Sequence, residues 1–356
     1  MASRTPVGVL GTGPNSDLRS GRAKSMMRSM NSMVRVRDER LNRAKTRRNV
    51  SLGQRTRLTI AAYIKYRYLA LLMVPGILYY VIFHYAPMFG IQLAFKNYIV
   101  MKGIWGSPWA GFKYFKILFA YPSFWEVFRN TIIISAYKIS FGFGMPIIFA
   151  ILLNELRYLP YKKVTQTLSY LPHFVSWVVL GGLFKQFLSP SIGPINILLK
   201  SIGVRPIFFL GDPSWFRFTL VVTSIWKGVG WGSIIYLATI AGIDPQLYEA
   251  AEMDGAGRFR RMWHITLPSL TPVITIMLIF ALRGIVLDDF DQIFNMYNSA
   301  VYRVGDVLST YIYRVGLQNF EFSLSTAVNL FRNLIAFVLI IMANAAAKRI
   351  NEYGIW

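Results

Sequence analysis

The sequence contains no cysteine and only three histidines among its 356 residues. Without cysteine the chain has no disulfide, no thiolate nucleophile and no thiolate metal ligand, although this absence leaves the redox compartment undecided. His84, His173 and His264 lie far apart and lack the spacing of metal ligands. We therefore expect each histidine to pack within the protein or at a membrane boundary, and we expect no metal site.

Charged residues are also scarce, because they make up 15% of the chain against about a quarter of an ordinary soluble domain. Hydrophobic residues reach 54%, which is too much apolar surface for a soluble fold. This composition predicts an all-α integral membrane protein. Segments long and apolar enough to cross about 30 Å of hydrocarbon occur near residues 68–87, 131–153, 166–187, 217–240, 269–289 and 326–346.

Acidic residues are missing from the centres of all six predicted spans. This absence argues against a proton relay or a buried sodium site, and so against the competing class, a stand-alone secondary transporter or channel. The sequence shows no nucleophile with a base and no metal cluster, as a membrane enzyme would need. It also lacks the G-x-x-x-x-G-K-[ST] phosphate loop, so we expect the chain to hydrolyse nothing and to bind no cofactor.

The basic residues predict the orientation, because loops rich in Lys and Arg stay on the cytoplasmic side. With the N-terminus inside, the inner segments hold 24 of the 39 cations, so both termini are predicted to be cytoplasmic. Residues 1–67 carry sixteen cations and three acids and are expected to form a disordered or membrane-surface arm before the six-span domain at 68–356. The alternative is that the chain starts later, at Met26, Met27, Met30 or Met33.

Between the fourth and fifth predicted spans lies the stretch EAAEMDGAGRFRRMWHITLP, residues 249–268. Its six charged residues would cost ~18 kcal/mol at the centre of a bilayer, so the stretch does not span. With the N-terminus inside, this loop is cytoplasmic. We expect a second short helix from Arg258 to Ile265, with Pro268 opening the fifth span.

Asp244 and Pro245 predict the start of a short helix in this loop. The Asp oxygen can cap free amides, and a proline in the first turn loses nothing by lacking an N–H. Gly255 and Gly257 allow a sharp change of direction after this helix. The predicted shape of residues 244–268 is therefore helix, glycine turn, helix.

The loop residues resemble the EAA motif of the membrane subunits of binding-protein-dependent ABC importers. The match comprises Glu249-Ala250-Ala251, then Gly255, then Ile265-Thr266-Leu267-Pro268, on the expected side of the membrane. The likeness extends from about residue 68 to the C-terminus, and is greatest to carbohydrate-uptake permeases of the MalF and LplB type, including the alginate permease group. The segments SYLPHFVSW (169–177) and FDQIFNMYNSAVYRVGDVLSTYIYRVG (290–316) contribute to it. Residues 1–67 depart from it.

This resemblance implies a type I permease core of six transmembrane helices in the bacterial inner membrane. In the family, two homologous permeases pair as a heterodimer and contact two copies of a cytoplasmic ATPase that uses ATP and Mg. An extracytoplasmic solute-binding protein delivers the oligosaccharide, and no nucleic acid takes part. The residues implied to couple the permease to the ATPase are Glu249, Ala250, Ala251, Asp254, Gly255, Ile265, Leu267 and Pro268.

Substrate-path candidates fall into two sets, each with an open alternative. The first set is the cations within the spans, which could receive an anionic oligosaccharide or could instead pair with Asp288, Asp289 and Asp291 or reach the membrane surface. These cations are Lys138, Lys185, Lys227, Arg283 and Arg332. The second set could stack on or hydrogen-bond a sugar, or could pack between helices. These residues are Tyr137, Trp177, Trp226, Trp231, Asn329 and Asn333.

Two long outer loops are predicted. Residues 88–130 are rich in Trp, Phe and Tyr, which suits an interfacial helix or a docking surface. Residues 290–325 mix tyrosines with Asn and Asp, and we expect a partly ordered external lobe or part of a sugar path.

Overall fold

The computed structural model describes residues 66–286 and 289–351. The predicted basic arm, apart from its last two residues, and Asp288 lie outside the described residues. Within the described ranges the secondary structure is helical, and the one extended pairing is an isolated bridge between Lys96 and Trp109. The expected all-α class is confirmed.

Thirteen α-helices of six residues or more organise the described chain. They are α1 (Arg67–Tyr80), α2 (Lys113–Ala120), α3 (Pro122–Gly142), α4 (Gly144–Asn154), α5 (Leu159–Phe174), α6 (Trp177–Phe187), α7 (Pro194–Ser201), α8 (Pro213–Ala241), α9 (Pro245–Met253), α10 (Leu267–Arg283), α11 (Phe290–Met296), α12 (Leu308–Tyr313) and α13 (Phe322–Asn351). Short π-helical turns occupy Val81–Tyr85, Met262–Thr266 and Arg314–Gln318.

Five helical runs are long and apolar enough to cross a membrane, and a bent pair makes a sixth. The five are Arg67–Phe95, Pro122–Asn154, Pro213–Ala241, Arg258–Leu282 and Phe322–Ala345. The second, fourth, fifth and sixth spans start before their predicted bounds. Prolines occupy the first turns at Pro122 and Pro213, where they start a helix without loss of a hydrogen bond.

The third span is not the continuous helix predicted over 166–187. Instead α5 and α6 meet at 104°. Val175 and Ser176 between them have extended backbones, and the Ser176 side chain accepts a hydrogen bond from the Val179 N–H at 3.4 Å. Pro172 in the last turn of α5 also disfavours a straight continuation. A proline followed by a capping serine therefore breaks this span.

Residues 258–265 are helical as predicted, but they do not form a helix separate from the fifth span. Arg258–Arg261 continues through the π-turn Met262–Thr266 into α10, so the returning arm of the loop and the fifth span are one helical run. Pro268 removes a backbone donor at this junction, and local π geometry is a recognised way to accommodate such a residue without ending the helix.

The chain divides into two units, residues 1–86 and 87–356. In the described part of the first unit, α1 exposes large apolar side chains such as Leu69 and Leu72. A helix that exposes apolar residues in this way suits a lipid environment.

In the second unit α8 is the central helix and packs against α3, α4, α5 and α10. Its contact with α5 requires a glycine at position 230. A Cβ there would lie 2.2 Å from the Ser169 carbonyl oxygen, so the two backbones could not approach this closely with any other residue. Apolar clusters fill the space on either side of α8, with Phe216 and Leu270 fully buried.

A buried polar network joins α3, α8 and the segment after α11 at the predicted outer end. The Asp306 carboxylate, 4% exposed, accepts hydrogen bonds from Thr310 Oγ1 at 2.8 Å and from the Arg314 guanidinium. Asn130, fully buried, donates to the Asp306 carbonyl at 3.2 Å and accepts from Arg217 at 2.8 Å. The predicted external lobe at 290–325 is therefore tied to two spans.

We predict that Asp306→Asn lowers the free energy of unfolding by about 3 kcal/mol, because it leaves the half-buried Arg314 guanidinium without its counter-ion. The thermal unfolding midpoint of the purified protein in detergent should fall by several degrees. Asp291→Asn is the matched control, since Asp291 is exposed. Equal midpoints for the two variants would contradict a stabilising role for the buried pair.

Candidate functional site

The loop that carries the EAA residues has the predicted helix, glycine turn and helix. Asp244 caps α9, its Oδ1 accepting from the Gln246 N–H at 3.0 Å. Gly255 has φ +76°, and the Ala256 N–H donates to the Ala251 carbonyl at 2.8 Å across the turn. These features confirm the predicted cap and the predicted glycine turn, and they place Gly255 in the left-handed region that favours glycine.

Two side-chain contacts brace the arms of the loop against each other. The Tyr248 hydroxyl lies 2.9 Å from Thr266 Oγ1, which is buried, and Arg261 donates to the Glu252 carboxylate at 2.8 Å. The Tyr248 contact joins α9 to the base of α10. Sequence reasoning missed this pair, although Tyr248 directly precedes the Glu249-Ala250-Ala251 motif.

The braced loop presents both polar and apolar groups to its surroundings. Met253 is 89% exposed and Phe259 is 84% exposed, which is unusual for large apolar side chains on a charged loop. Among the motif residues, the exposed ones are Glu249, Ala250, Asp254, Gly255 and Pro268, and the half-buried ones are Ala251, Ile265 and Leu267. The loop thus has two arms joined by side-chain contacts, and its large apolar side chains Met253 and Phe259 are uncovered within the described part of the chain.

Three substrate-path candidates meet at the break between α5 and α6. Lys227 on α8 donates to the carbonyls of His173 at 3.1 Å and Val175 at 2.9 Å, and its amine lies 5.2 Å from the centre of the Trp177 ring. Trp231, one turn further along α8, stacks on His173 with ring centres 4.5 Å apart. Lys227, Trp177 and Trp231 therefore hold the break in place, which favours the packing alternative for them.

Lys138 on α3 has a protein counter-ion. Its amine lies 3.6 Å from the Asp289 carboxylate and donates to the side-chain oxygen of Gln292. Gln292 is fully buried and donates to the Leu220 carbonyl at 2.7 Å and to Thr223 Oγ1 at 2.9 Å. The expected alternative of pairing with Asp289 is confirmed for Lys138, and Gln292 is a part of this cluster that sequence reasoning missed.

The remaining candidates are spread over several helices. Trp226 meets Phe184 edge to face at 5.6 Å, and the Asn333 amide lies 3.5 Å from Asn329 Oδ1. Tyr137, Asn329, Asn333 and Lys185 are exposed, Arg332 is half-buried on α13, and Arg283 ends α10 with a side chain outside the described residues.

Residues 114–352 match the family described as the binding-protein-dependent transport system inner membrane component. Protein LplB of Bacillus subtilis is 43% identical over 297 residues, covering 83% of this chain and 93% of the relative. A polygalacturonan/rhamnogalacturonan transport system permease protein, YteP, of the same organism is 42% identical over 303 residues, covering 85% and 94%.

A solved structure shares the fold at a TM-score of 0.77 and 39% identity, covering 83% of this chain and 99% of the other. It is part of a bacterial alginate ABC transporter in complex with an alginate pentasaccharide-bound periplasmic protein.

The chain is therefore a multi-pass membrane permease and belongs to the family of inner membrane components of binding-protein-dependent transport systems. The resemblance to carbohydrate-uptake permeases of the ABC importers is confirmed. The alternative of a stand-alone secondary transporter or channel is not favoured.

A double-mutant cycle tests the ion pair within the membrane-spanning region. We predict that Lys138→Met and Asp289→Asn each lower the free energy of unfolding by about 1–3 kcal/mol, because each leaves the partner's polar group less well satisfied. The double variant should lose less than the sum, with a coupling of about 1 kcal/mol. Chemical denaturation in detergent measures all four proteins, and strictly additive losses would contradict the pairing.

Proposed function

We propose that this protein is one of two paired permease subunits of an ABC importer that moves oligosaccharides into the cell. The braced loop between the fourth and fifth spans carries the proposal, because its helix α9 exposes Glu249 and Met253 and its returning arm exposes Phe259. The relatives support the substrate class, since one is named for polygalacturonan/rhamnogalacturonan and another structure contains alginate pentasaccharide on a periplasmic protein.

The loop suits the transmission of force between subunits. Apolar side chains such as Met253 and Phe259 gain free energy by entering a cleft on a partner, and a buried methionine or phenylalanine contributes about 1.5–3 kcal/mol. Because Tyr248 and Arg261 brace the loop, a displacement of α9 reaches α10 instead of being lost in a flexible linker. The proposed coupling residues are those of the EAA motif, namely Glu249, Ala250, Ala251, Asp254, Gly255, Ile265, Leu267 and Pro268.

The proposed partners follow from the same arrangement. A second, homologous permease completes a heterodimer, and two copies of a cytoplasmic ATPase bind and hydrolyse ATP with Mg. An extracytoplasmic solute-binding protein delivers the oligosaccharide on the opposite side. The α9 loop and both termini then lie in the cytoplasm, in accordance with the excess of Lys and Arg in those segments.

Reconstitution of the complete complex tests the proposal. Vesicles should contain this permease, its partner permease and the ATPase. They should transport oligosaccharide only when ATP is present on the ATPase side of the membrane and loaded binding protein is present on the opposite side. Uptake by this chain alone, driven by an ion gradient without ATP, would overturn the proposal in favour of a secondary transporter.

Gly255 offers a test of the loop's backbone. Its φ of +76° strains a residue with a branched Cβ, while no atom lies within 4 Å of the position that a Cβ would take, so strain and not internal crowding is the cost in this chain. We predict that Gly255→Val leaves the subunit folded but reduces substrate-stimulated ATP hydrolysis at least about tenfold, as expected for about 1.4 kcal/mol or more of misplacement. The measurement is stimulated ATPase activity in reconstituted vesicles.

Gly255→Asn is the control for that variant, because asparagine adopts positive φ more readily than other residues with a Cβ. It should retain more stimulated ATPase activity than Gly255→Val. Normal ATPase retention and normal transport in Gly255→Val would contradict the role of this turn in coupling.

The exposed methionine of the loop provides a separate test of ATPase contact. Met253→Ala should weaken retention of the ATPase by about tenfold, since truncation of an interface anchor costs more than about 1 kcal/mol. Met101→Ala is the matched control, because Met101 is 94% exposed on a predicted outer loop. Pull-down of the ATPase measures both, and similar retention by the two variants would refute a contact at Met253.

A further inference from the structure

A cavity of about 590 Å³ opens at the predicted outer end of the second unit, in the size range of small-molecule sites. It lies between the first turns of α3, the segment around α12 and the start of α13. We call it the outer cavity. Its lining is mostly polar and aromatic and includes Tyr121, Ser123, Glu126, Arg303, Asp306 and Glu321.

The floor of the outer cavity is preformed. Asn130 and Asp306 are buried and fixed by the hydrogen bonds that join α3 to the segment before α12. Arg314 is held by Asp306, and its guanidinium lies over the rings of Tyr302 at 5.3 Å and Tyr311 at 5.7 Å. Because these side chains are already positioned, they would lose little conformational entropy when a ligand binds in the cavity.

The lining chemistry matches a sugar unit. Carboxylates, amides and guanidinium groups are planar and offer paired acceptors or donors to adjacent hydroxyls. Tyr121 is 51% exposed and Tyr302 is 40% exposed, so ring surface is available for the apolar face of a sugar. An apolar ligand would remove water from the exposed charged groups Glu126, Arg303 and Glu321 without replacing their hydrogen bonds, which costs free energy.

Charge narrows the class of sugar. The charges of Asp306 and Arg314 neutralise each other. The remaining charged groups of the lining are two exposed carboxylates, Glu126 and Glu321, and one exposed cation, Arg303. Burial raises the pKa of Tyr311, so its phenol stays neutral and adds no charge. The ionised groups that line the outer cavity therefore sum to minus one, and the nearby Arg217 is directed at Asn130 behind the lining. The lining thus lacks the net positive charge that would favour a uronate carboxylate, which favours a neutral, hydroxyl-bearing unit.

We propose that the outer cavity is a binding subsite for a neutral sugar unit of the transported oligosaccharide. The inference rests on the proposed function, because it needs substrate to arrive at this end of the permease. The subsite would hold one unit of the oligosaccharide before the chain enters the space between the spans.

Direct binding to the complex of permeases and ATPase, without binding protein, tests the subsite. The probes for calorimetry are α-1,4-linked galactotriose and trigalacturonate, which differ only in the oxidation of C6. We expect galactotriose to bind at least tenfold more tightly than trigalacturonate. Ser123→Trp, at the exposed first turn of α3, should fill the cavity and abolish this binding, whereas Ser191→Trp on another exposed loop should not.

A second variant tests the subsite with substitutions that conserve side-chain size and so disturb folding less than Ser123→Trp. Glu126→Gln combined with Glu321→Gln keeps the size of the cavity and removes two negative charges, so it should raise the affinity for trigalacturonate severalfold and reduce the preference for galactotriose. Unchanged relative affinities would overturn the assignment of these carboxylates to the subsite.

Other results separate the possible failures. Loss of affinity for loaded binding protein in Ser123→Trp, with no binding of free sugar to the wild type, would show that the cavity receives the protein and would overturn the sugar subsite. Normal ATP-dependent uptake by a wild-type complex that binds neither probe would overturn the subsite alone. Failure of ATP-dependent and binding-protein-dependent uptake for every oligosaccharide would overturn the proposed function itself.

Discussion

Every backbone N–H and C=O within a bilayer must find its partner inside the protein, because hydrocarbon offers none. This constraint explains why a lysine stands in the fourth span. The break between α5 and α6 interrupts the helical hydrogen bonds, and Lys227 supplies donors to the carbonyls of His173 and Val175. A cation that would be costly against lipid is thus stabilised by the carbonyls that it satisfies. The bend of the third span, and the positions of Trp177 and Trp231 beside it, depend on this interaction.

The same constraint shapes the other polar groups among the spans. Lys138 reaches Asp289 and Gln292, and Gln292 in turn reaches the backbone of α8 at Leu220. The Lys138 amine is therefore held by the segment that contains Asp289 and Gln292, and Gln292 joins that segment to α8. A neutral pair of this kind gives no net attraction for an anionic substrate. A count of lysines in the spans therefore overstates the positive charge along the path of an oligosaccharide. That charge depends on the ionised groups that have no counter-ion in the protein.

Hydropathy predicts the number of spans well because it depends on length and composition, which the bilayer thickness fixes directly. The EAA loop is also predictable, since Asp244, Pro245 and Gly255 act through local backbone geometry. Two features were not predictable in the same way. The break in the third span has only the weak local signals of Pro172 and Ser176 within an apolar run. The second partner of Lys138, beside the anticipated Asp289, lies 154 residues away in Gln292, and no local pattern connects residues so distant.

The central helix α8 touches each of these regions. Its 29 residues begin beside the outer polar network, where Arg217 binds Asn130, and pass the break in the third span at Lys227 and Trp231. The helix ends shortly before Asp244, the cap of α9. A close-packed interior deforms little, and Gly230 leaves no space between α8 and α5. A displacement of α9 reaches α10 through the Tyr248 contact, and at its other end it is either absorbed in the short connection from Gly242 to Asp244 or carried along α8 toward the opposite end.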